Sequence, residues 1–447
     1  MSKLSVHIET FGCQMNVSDS ERVASILRAD GFELTEAAAS ADIILLNTCS
    51  IREKAEQRVF RRVGEIKRER AGRQPLVGVL GCVAQLEGES IFNSAPSVRL
   101  VAGTGATGRI PSLLERVRGG ERRVIDLDER EEGAAFEISP TVRHSKHVAF
   151  VSIIEGCNKF CTYCIVPYSR GRERSRPAFE IIEEVKKLSA DGFKEVQLIG
   201  QNVNSYRPRV DKGLEGFPGA TPFSRLLRAV ASTGAPRIKF TTSFPRDFHA
   251  DIVKAIEEYE NLCNWVHLPV QSGNNRILRA MRRGHKVEEY LEKVDAVKNS
   301  QREISLSSDI IVGFPGETDE EFEDTLRLAD KCEFHGLYIF KYSKRRGTPA
   351  AKLNDDVSTD EKTQRFLALE SLQMSIQSRI YRAYVGKVVE VLAEGLSARS
   401  GSDLTGHTTC HKVVNFGGGA ELVGKILKVR VTEAKAHSLF GQILEEV

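Results

Sequence analysis

No run of about 18 apolar residues occurs anywhere in the 447-residue chain, which excludes an obvious membrane-spanning helix. The opening segment MSKLSVHIETFGC lacks the apolar core of a secretory signal and runs straight into a strand-like alternation. These absences point to a cytoplasmic protein with no membrane partner. A surplus of one charge is missing too, since 64 basic and 61 acidic residues leave a net +3. That balance neither requires nor excludes nucleic acid, because a basic face can sit within a near-neutral total. In a reducing compartment the nine cysteines favour metal binding or catalysis over disulfides.

The sharpest absence lies in EGCNKFCTYC, residues 155–164, where Cys157, Cys161 and Cys164 have no fourth thiol nearby. Structural zinc and a [4Fe–4S] cube each normally take four ligands, and structural zinc favours paired CxxC units. A CxxxCxxC loop can instead wrap three corners of a cube and leave the fourth iron open. S-adenosylmethionine fits that iron, because its amine and carboxylate can chelate it and it supports radical chemistry. A zinc site completed by distant Cys263 or His267 is the alternative.

What is present organises the chain. Residues 1–120 alternate strand and helix: LSVHIETFG, ADIILLNT, PLVGVLG and VRLVAGTG read as strands. DSERVASILRADG reads as a helix capped by Ser18 or Asp19 and stopped at Gly31. This rhythm implies an open parallel α/β sheet. Polar, aperiodic residues 121–145 read as a linker. Over 146–377, six strand-like runs from HVAFVSIIEG to GLYIFKYS alternate with helices, which predicts a partial (β/α)6 barrel. A long helical pattern spans 358–384. The tail, 378–447, carries short Val-rich runs separated by glycines and predicts a small β-barrel.

A second set of three cysteines emerges from that layout. Cys13, Cys49 and Cys82 follow directly on the first three expected strands, as TFGC, LNTC and VLGC. Parallel strands bring their carboxyl ends together, so these thiols converge at one sheet edge, where Gly12 and Gly81 allow close approach. Any one of them alone reads as a small buried hydrophobe. Three at equivalent positions read as a second cluster site, also one ligand short. Cys263, Cys332 and Cys410 share no such placement and read as structural.

With these residues in view, the whole chain resembles the radical S-adenosylmethionine methylthiotransferases. CNKFCTYC with IVPYSRGRERSRP resembles their radical motif, HLPVQSGNNRILRAMRRGH and DIIVGFPGETDEEFEDT resemble later barrel segments, and the tail resembles a TRAM RNA-binding domain. The resemblance implies two [4Fe–4S] clusters: an auxiliary one on Cys13, Cys49 and Cys82, and a radical one on Cys157, Cys161 and Cys164. One S-adenosylmethionine would methylate a sulfur on the auxiliary cluster, and a second would be cleaved reductively to give the radical.

FGCQMNVSDSE and LIGQNVNSY are most similar to the branch that adds methylthio to C2 of N6-isopentenyladenosine beside the tRNA anticodon. The branch acting on a ribosomal-protein aspartate usually has Pro-Lys at Gln14-Met15, and the threonylcarbamoyladenosine branch also differs there. Phe11 stands where tyrosine is common. Those two branches, and a non-catalytic RNA-binding protein stabilised by metal, are the alternatives. A flavodoxin-type electron donor is what the family suggests.

Two strand-end motifs are candidate contacts for S-adenosylmethionine: Gly200, Gln201 and Asn202 in IGQNV, and Gly313 and Gly316 in VGFPGE. The second lacks the Lys-Ser/Thr of a phosphate loop, so an ordinary turn also accounts for it. Basic runs are available for an anticodon loop. They are Arg170, Arg172, Arg174 and Arg176; then Arg276, Arg279, Arg282, Arg283 and Lys286; then Lys341, Lys344, Arg345 and Arg346. The tail, with nine basic and seven acidic residues from 379 on, is not marked as an RNA binder by charge.

Anaerobically reconstituted protein is expected to carry about eight irons per chain, the content of two four-iron cubes. Stoichiometric zinc without iron in an elemental assay would contradict the cluster assignment.

Overall fold

The computed structural model describes residues 3–50, 53–69, 74–129, 136, 140–397 and 400–446. They divide into two compact units. The first holds the described residues up to His144 together with Glu155–Asn158 and Cys164–Arg174; the second holds Ser145–Ile154, Lys159–Tyr163 and the described residues from Ser175 onward. None of the described helices is long and apolar enough to cross a membrane.

The first unit is a parallel sheet covered on both faces. Its elements are β1 (Ser5–Phe11), α1 (Gln14–Ala29), β2 (Glu33–Leu34), β3 (Ile43–Thr48), α2 (Glu53–Glu69), β4 (Leu76–Gly81), α3 (Cys82–Glu87), α4 (Ser90–Ser94), β5 (Val98–Ala102), α5 (Ile110–Arg118) and β6 (Val124–Asp126). Strand order is β2-β1-β3-β4-β5-β6. IILLNT in β3 is buried throughout, as a central strand with two covered faces must be. Ile43 and Leu45 pack with Val23 and Leu27 of α1 and Leu113 and Leu114 of α5 on one face. Ile44 and Leu46 pack with Val59 and Val63 of α2 and Ile91 of α4 on the other. Three residues of the stretch expected to be linker, Val124–Asp126, extend the sheet by pairing with β5; residues 130–135 and 137–139 lie outside the described residues.

The first helix differs from expectation. It begins at Gln14 with Cys13 as its N-cap, so Ser18 and Asp19 lie inside it and are buried. The physical reason is long-range pairing. Asp19 accepts from Arg170 at 2.6 Å, Glu21 accepts from Arg143 at 3.2 Å, and Arg22 bonds Glu155. Charges that look solvated in sequence are thus matched within the fold. At the other end Asp30 caps the helix and Gly31 follows at φ +93°, as expected.

The second unit opens with β7 (Val148–Ser152) and the short strand β8 (Ile154–Glu155), whose last residue falls in the first unit. Next come α6 (Val166–Arg170) and β9 (Arg174–Ser175), which begin back in that unit. The barrel then runs through α7 (Ala178–Ala190), β10 (Glu195–Ile199), α8 (Pro222–Ala231), β11 (Arg237–Phe240), α9 (Ala250–Glu258), β12 (Trp265–His267), α10 (Asn275–Ala280), α11 (Val287–Lys298), β13 (Ser305–Val312), α12 (Asp319–Cys332) and β14 (Gly336–Lys341). Two parallel half-sheets, β7-β10-β11 and β12-β13-β14, are joined where Ile238 pairs with Leu262. The result is the expected open six-stranded barrel. Val196, Leu198, Ile238, Leu306 and Ile310 join the core formed with the helices. Alternation then turns Glu195, Gln197, Arg237, Lys239, Trp265, His267, Ser307, Asp309, Tyr338 and Phe340 to the lumen.

Helix α13 (Thr359–Arg382) is started by a Ser358–Glu361 capping box. Beyond it β15 (Val388–Leu396), β16 (Leu404–Thr408), β17 (Val413–Phe416), β18 (Ile426–Ala434) and β19 (Leu439–Glu446) close into a barrel in the order β15-β16-β17-β19-β18. This barrel docks on the amino-terminal ends of the larger barrel's strands. Lys412 Nζ donates to Ser305 Oγ at 2.8 Å, Arg237 donates to the His407 carbonyl at 3.2 Å, and Lys239 Nζ lies 2.7 Å from His411 Nδ1. Lys239 also sits 4.5 Å from the Trp265 ring centroid.

Burial, reinforced by Lys239, holds His411 down to about 2, and burial with Lys412 holds His335 down to about 4, against an ordinary 6.5. The unfolded chain therefore takes up these protons near pH 6.5 while the folded chain refuses them, so stability falls as pH drops below 6.5. Each histidine contributes a slope of about 1.4 kcal/mol per pH unit well below 6.5. Thermal melts from pH 7 to pH 5 are expected to show this loss, and His411→Asn, which suits φ +63°, is expected to make it shallower. An unchanged slope would contradict the assignment.

Candidate functional site

Three neighbouring strands build the first site. Phe11 is paired with Thr48 and Thr48 with Gly81, so β1, β3 and β4 end level with one another. The next residues on the latter two strands are Cys49 and Cys82, and Cys13 stands two beyond Phe11. After β1 the chain goes through α1 to β2 on one side, then crosses back to β3 on the other. Cys13 and Cys49 therefore flank the crevice where a doubly wound sheet reverses direction, the ordinary ligand position in such sheets.

The Cys13 side chain reaches the surface but is ringed by protein on most sides. A hydrogen bond with Cys49 pulls its thiol down; burial pushes up and Arg170 pulls down further, leaving it at about 6. It is thus held as the thiolate that metals bind. Beneath it Asn16 and Asn47 are fully buried and bonded to each other at 3.3 Å, and Asn47 also donates to Ser20 at 2.9 Å. This polar floor fixes the three strand ends.

The two glycines serve that floor directly. A Cβ on Gly12 would stand 2.8 Å from that of Cys49, and one on Gly81 would stand 2.3 Å from Asn47 Oδ1. Gly81 also adopts φ +86°, ψ −151°, a conformation essentially reserved for glycine. The donor set and its charge fit an iron–sulfur cluster lacking one protein ligand.

The CxxxCxxC loop is divided between the units: Cys157 and Cys164 belong to the first and Cys161 to the second. Within the first, Cys157 N donates to Gly171 O at 3.2 Å and Glu173 N to Asn158 Oδ1 at 3.0 Å. Within the second, Arg283 Nη1 lies 3.6 Å from Cys161 Sγ, and Thr162 is tied to Met281 O and Ala280 O. Lys159 pairs with Asp247, which also accepts from Ser205. Burial raises the Asp247 carboxyl, yet these bonds outweigh it and hold it below its ordinary value. Sequence reasoning missed Arg283 as a neighbour of the cysteines, and Asp247 altogether. Their signal appears only when the loops after β11 and α10 fold against Lys159 and Cys161.

Among the described residues no three His, Cys, Asp or Glu side chains converge as the ligands of one metal ion would. A cube takes its thiolates at separate irons rather than on one ion. Cys263 is buried, with its thiol pushed up to about 11 by burial and by Glu195, which is the opposite of what a zinc ligand needs. Burial likewise pushes Cys332 to about 12. Cys410 is buried between Lys412 and Thr408; burial raises its thiol but Lys412 pulls it net below the ordinary value.

At the carboxyl ends of the larger barrel's strands, Ser152 Oγ, Gln201 Oε1, Asn202 Oδ1 and Ser243 Oγ are buried without a hydrogen-bond partner among the described residues. Buried polar atoms normally have partners, so this cluster suits a small polar ligand such as S-adenosylmethionine. Gln201 and Asn202 keep that claim. The glycines also have local roles. Gly200 makes room for Ile154, whose carbonyl would stand 2.7 Å from an added Cβ. Gly313 N donates to Glu317 at 2.6 Å and Gly316 N to Asp356 at 2.7 Å, so their N–H groups serve the strand-to-helix turn.

The basic runs are likewise sorted. Arg170 pairs with Asp19, Arg174 with Glu155, Arg176 with Glu184 and Arg276 with Glu321. Arg172, Arg279, Arg282, Lys286, Lys344 and Arg346 are exposed. Tyr338 and Phe340, on the lumen face of β14, are 48% and 37% exposed, which leaves aromatic faces open to a base.

Three family models match separate segments of the chain. Residues 151–329 match the radical SAM superfamily, residues 5–103 match a family described as uncharacterized protein family UPF0004, and residues 382–444 match the TRAM domain. The tRNA-2-methylthio-N(6)-dimethylallyladenosine synthase of Solibacter usitatus is 45% identical over 443 residues, 98% of this chain and 97% of that protein. The synthases of the same name from Koribacter versatilis and Aquifex aeolicus are 44% and 42% identical, over 98% of this chain and of each protein. Among solved structures, the radical S-adenosylmethionine methyltransferase TsrM of Kitasatospora setae, with cobalamin and a [4Fe–4S] cluster, superposes with TM-score 0.57 at 14% identity. It covers 78% of this chain and 77% of that one. That likeness is one of fold.

Gly81→Ala is expected to cost about 1–3 kcal/mol of stability and to lower the iron bound by the Cys13, Cys49 and Cys82 set. Melting temperature and iron content measured together check this; a variant with both values unchanged would contradict the packing described.

Proposed function

The chain belongs to the family of tRNA-2-methylthio-N(6)-dimethylallyladenosine synthases, and from that membership we infer that it joins a methylthio group to C2 of N6-isopentenyladenosine beside the tRNA anticodon. The observation that carries this reading is the pairing of two three-cysteine sets, one on level strand ends and one in the CxxxCxxC loop, within a chain matched end to end by its relatives. It is a radical SAM enzyme that uses [4Fe–4S] clusters and S-adenosylmethionine.

When bound, these groups supply a radical able to take hydrogen from an unactivated carbon and the sulfur that replaces it, chemistry no side chain here provides. Cys157, Cys161 and Cys164 would hold the cluster that cleaves S-adenosylmethionine. Cys13, Cys49 and Cys82 would hold the one that presents sulfur.

The protein's own groups bind, orient and shield. Arg283 sets a fixed positive charge beside Cys161, and its stacking 4.3 Å from the Phe244 ring centroid keeps it in place. The Lys159–Asp247 pair anchors the cysteine loop. Ser152, Gln201, Asn202 and Ser243 offer hydrogen bonds to the amine, carboxylate and ribose of S-adenosylmethionine. Tyr338 and Phe340 supply stacking surface for an unstacked loop base, with Lys344 and Arg346 at hand for phosphate. The TRAM domain supports tRNA as the partner. A one-electron donor of the flavodoxin type and a cytoplasmic site of action complete the reading.

Nucleoside mass spectrometry of tRNA from a strain lacking this protein is expected to show loss of the 2-methylthio mark from isopentenyladenosine; an unchanged mark would reject the substrate. Separately, Cys157→Ala is expected to abolish formation of 5′-deoxyadenosine, while Cys13→Ala stops methylthio insertion with that cleavage retained. Equal loss of cleavage in both variants would reject the division of labour.

A further inference from the structure

Arg170 occurs in a run that looks made for phosphate, yet its side chain is 7% exposed. It closes α6, the short helix that begins two residues after Cys164 and packs on α3, the helix that begins with Cys82. The backbone there is clamped, because Thr104 Oγ1 donates to Ser169 O at 2.7 Å. The guanidinium then meets Asp19 at 2.6 Å, and Asp19 lies on α1, whose N-cap is Cys13. Every one of these residues belongs to the first unit.

We propose that Arg170 is a positioning residue for the sulfur-presenting site, whose buried guanidinium, oriented by Asp19, supplies the fixed positive charge facing Cys13 and Cys82. Three thiolates at one strand edge form a concentrated negative centre, and a buried centre of that kind needs a counter-charge. Arginine suits the task because it stays protonated at any physiological pH and its planar fork can bind Asp19 while presenting N–H groups elsewhere. Its charge acts on both Cys82 and Cys13. Lying within the radical motif's own segment, it makes folding of the sequence after Cys164 a condition for completing the other site.

The proposal rests on the assignment of Cys13, Cys49 and Cys82 to a cluster, and its test separates the two. The parent is the full chain with Cys157, Cys161 and Cys164 changed to alanine, reconstituted anaerobically and titrated with reductant while its EPR signal is followed. Removing a positive charge disfavours the more negative reduced state, so Arg170→Gln is expected to lower the midpoint potential relative to that parent, and Arg170→Lys to restore part of the shift. A glutamine variant at the parent's midpoint, or a lysine variant as low as the glutamine one, would overturn the proposal. Should the glutamine variant unfold or lose its iron, the lysine variant decides: iron retained supports the charge, and iron lost from both contradicts it. A parent that binds no iron removes the cluster assignment itself, and the proposal with it.

Discussion

Phe11, Thr48 and Gly81 stand side by side in one parallel ladder, and that register decides where three thiols lie. A slip of one residue in β3 or β4 would turn its buried set to the wrong face and carry its cysteine away from the others. The register is held strongly because both faces of the sheet are covered, by α1 and α5 on one side and α2 and α4 on the other. It is locked again at the strand ends by the buried Asn16–Asn47 contact, which in turn requires Gly81 to lack a side chain. The three thiols are thus placed by a sheet buried on both faces, the kind of rigid support that a precisely positioned site needs.

The helix that follows the first cysteine extends this control. Its Asp19, Glu21 and Arg22 are matched by Arg170, Arg143 and Glu155, partners more than a hundred residues away. Each pair is buried, so removing one member leaves a charge without compensation, a cost that typically reaches several kcal/mol. The first unit therefore depends on sequence that lies around the CxxxCxxC motif.

Much of this was legible in the sequence and part of it was not, for identifiable reasons. The six cysteines stood out because spacing and strand-end placement survive in one dimension. The α/β rhythm, the six-stranded barrel and the terminal β-barrel followed from strand runs long enough to show a period. Strands β2 and β6, of two and three residues, are too short to show one. The start of α1 was misplaced because a Ser-Asp-Ser-Glu stretch has the composition of a cap, while the real N-cap is a cysteine. Arg170 and Arg176 read as phosphate binders because nothing local reveals a buried carboxylate waiting for them. The glycines of VGFPGE and Gly200 mark tight backbone, but whether a ligand or the chain itself fills the space is a tertiary fact. Ser152 and Ser243 carried only the weak signal of lying at strand ends. The docking of the small barrel through Lys412 and His411 left none.

The proposed division of labour gives one chain two independent clusters, each on three cysteines, for two different tasks. Mössbauer spectroscopy of ⁵⁷Fe-reconstituted protein tests it most directly, comparing the parent with a Cys13/Cys49/Cys82→Ala variant and a Cys157/Cys161/Cys164→Ala variant. About four irons are expected in each variant, as a single [4Fe–4S] species, with S-adenosylmethionine perturbing only the variant that keeps Cys157, Cys161 and Cys164. Loss of all iron from either variant, or the same response to S-adenosylmethionine in both, would contradict it.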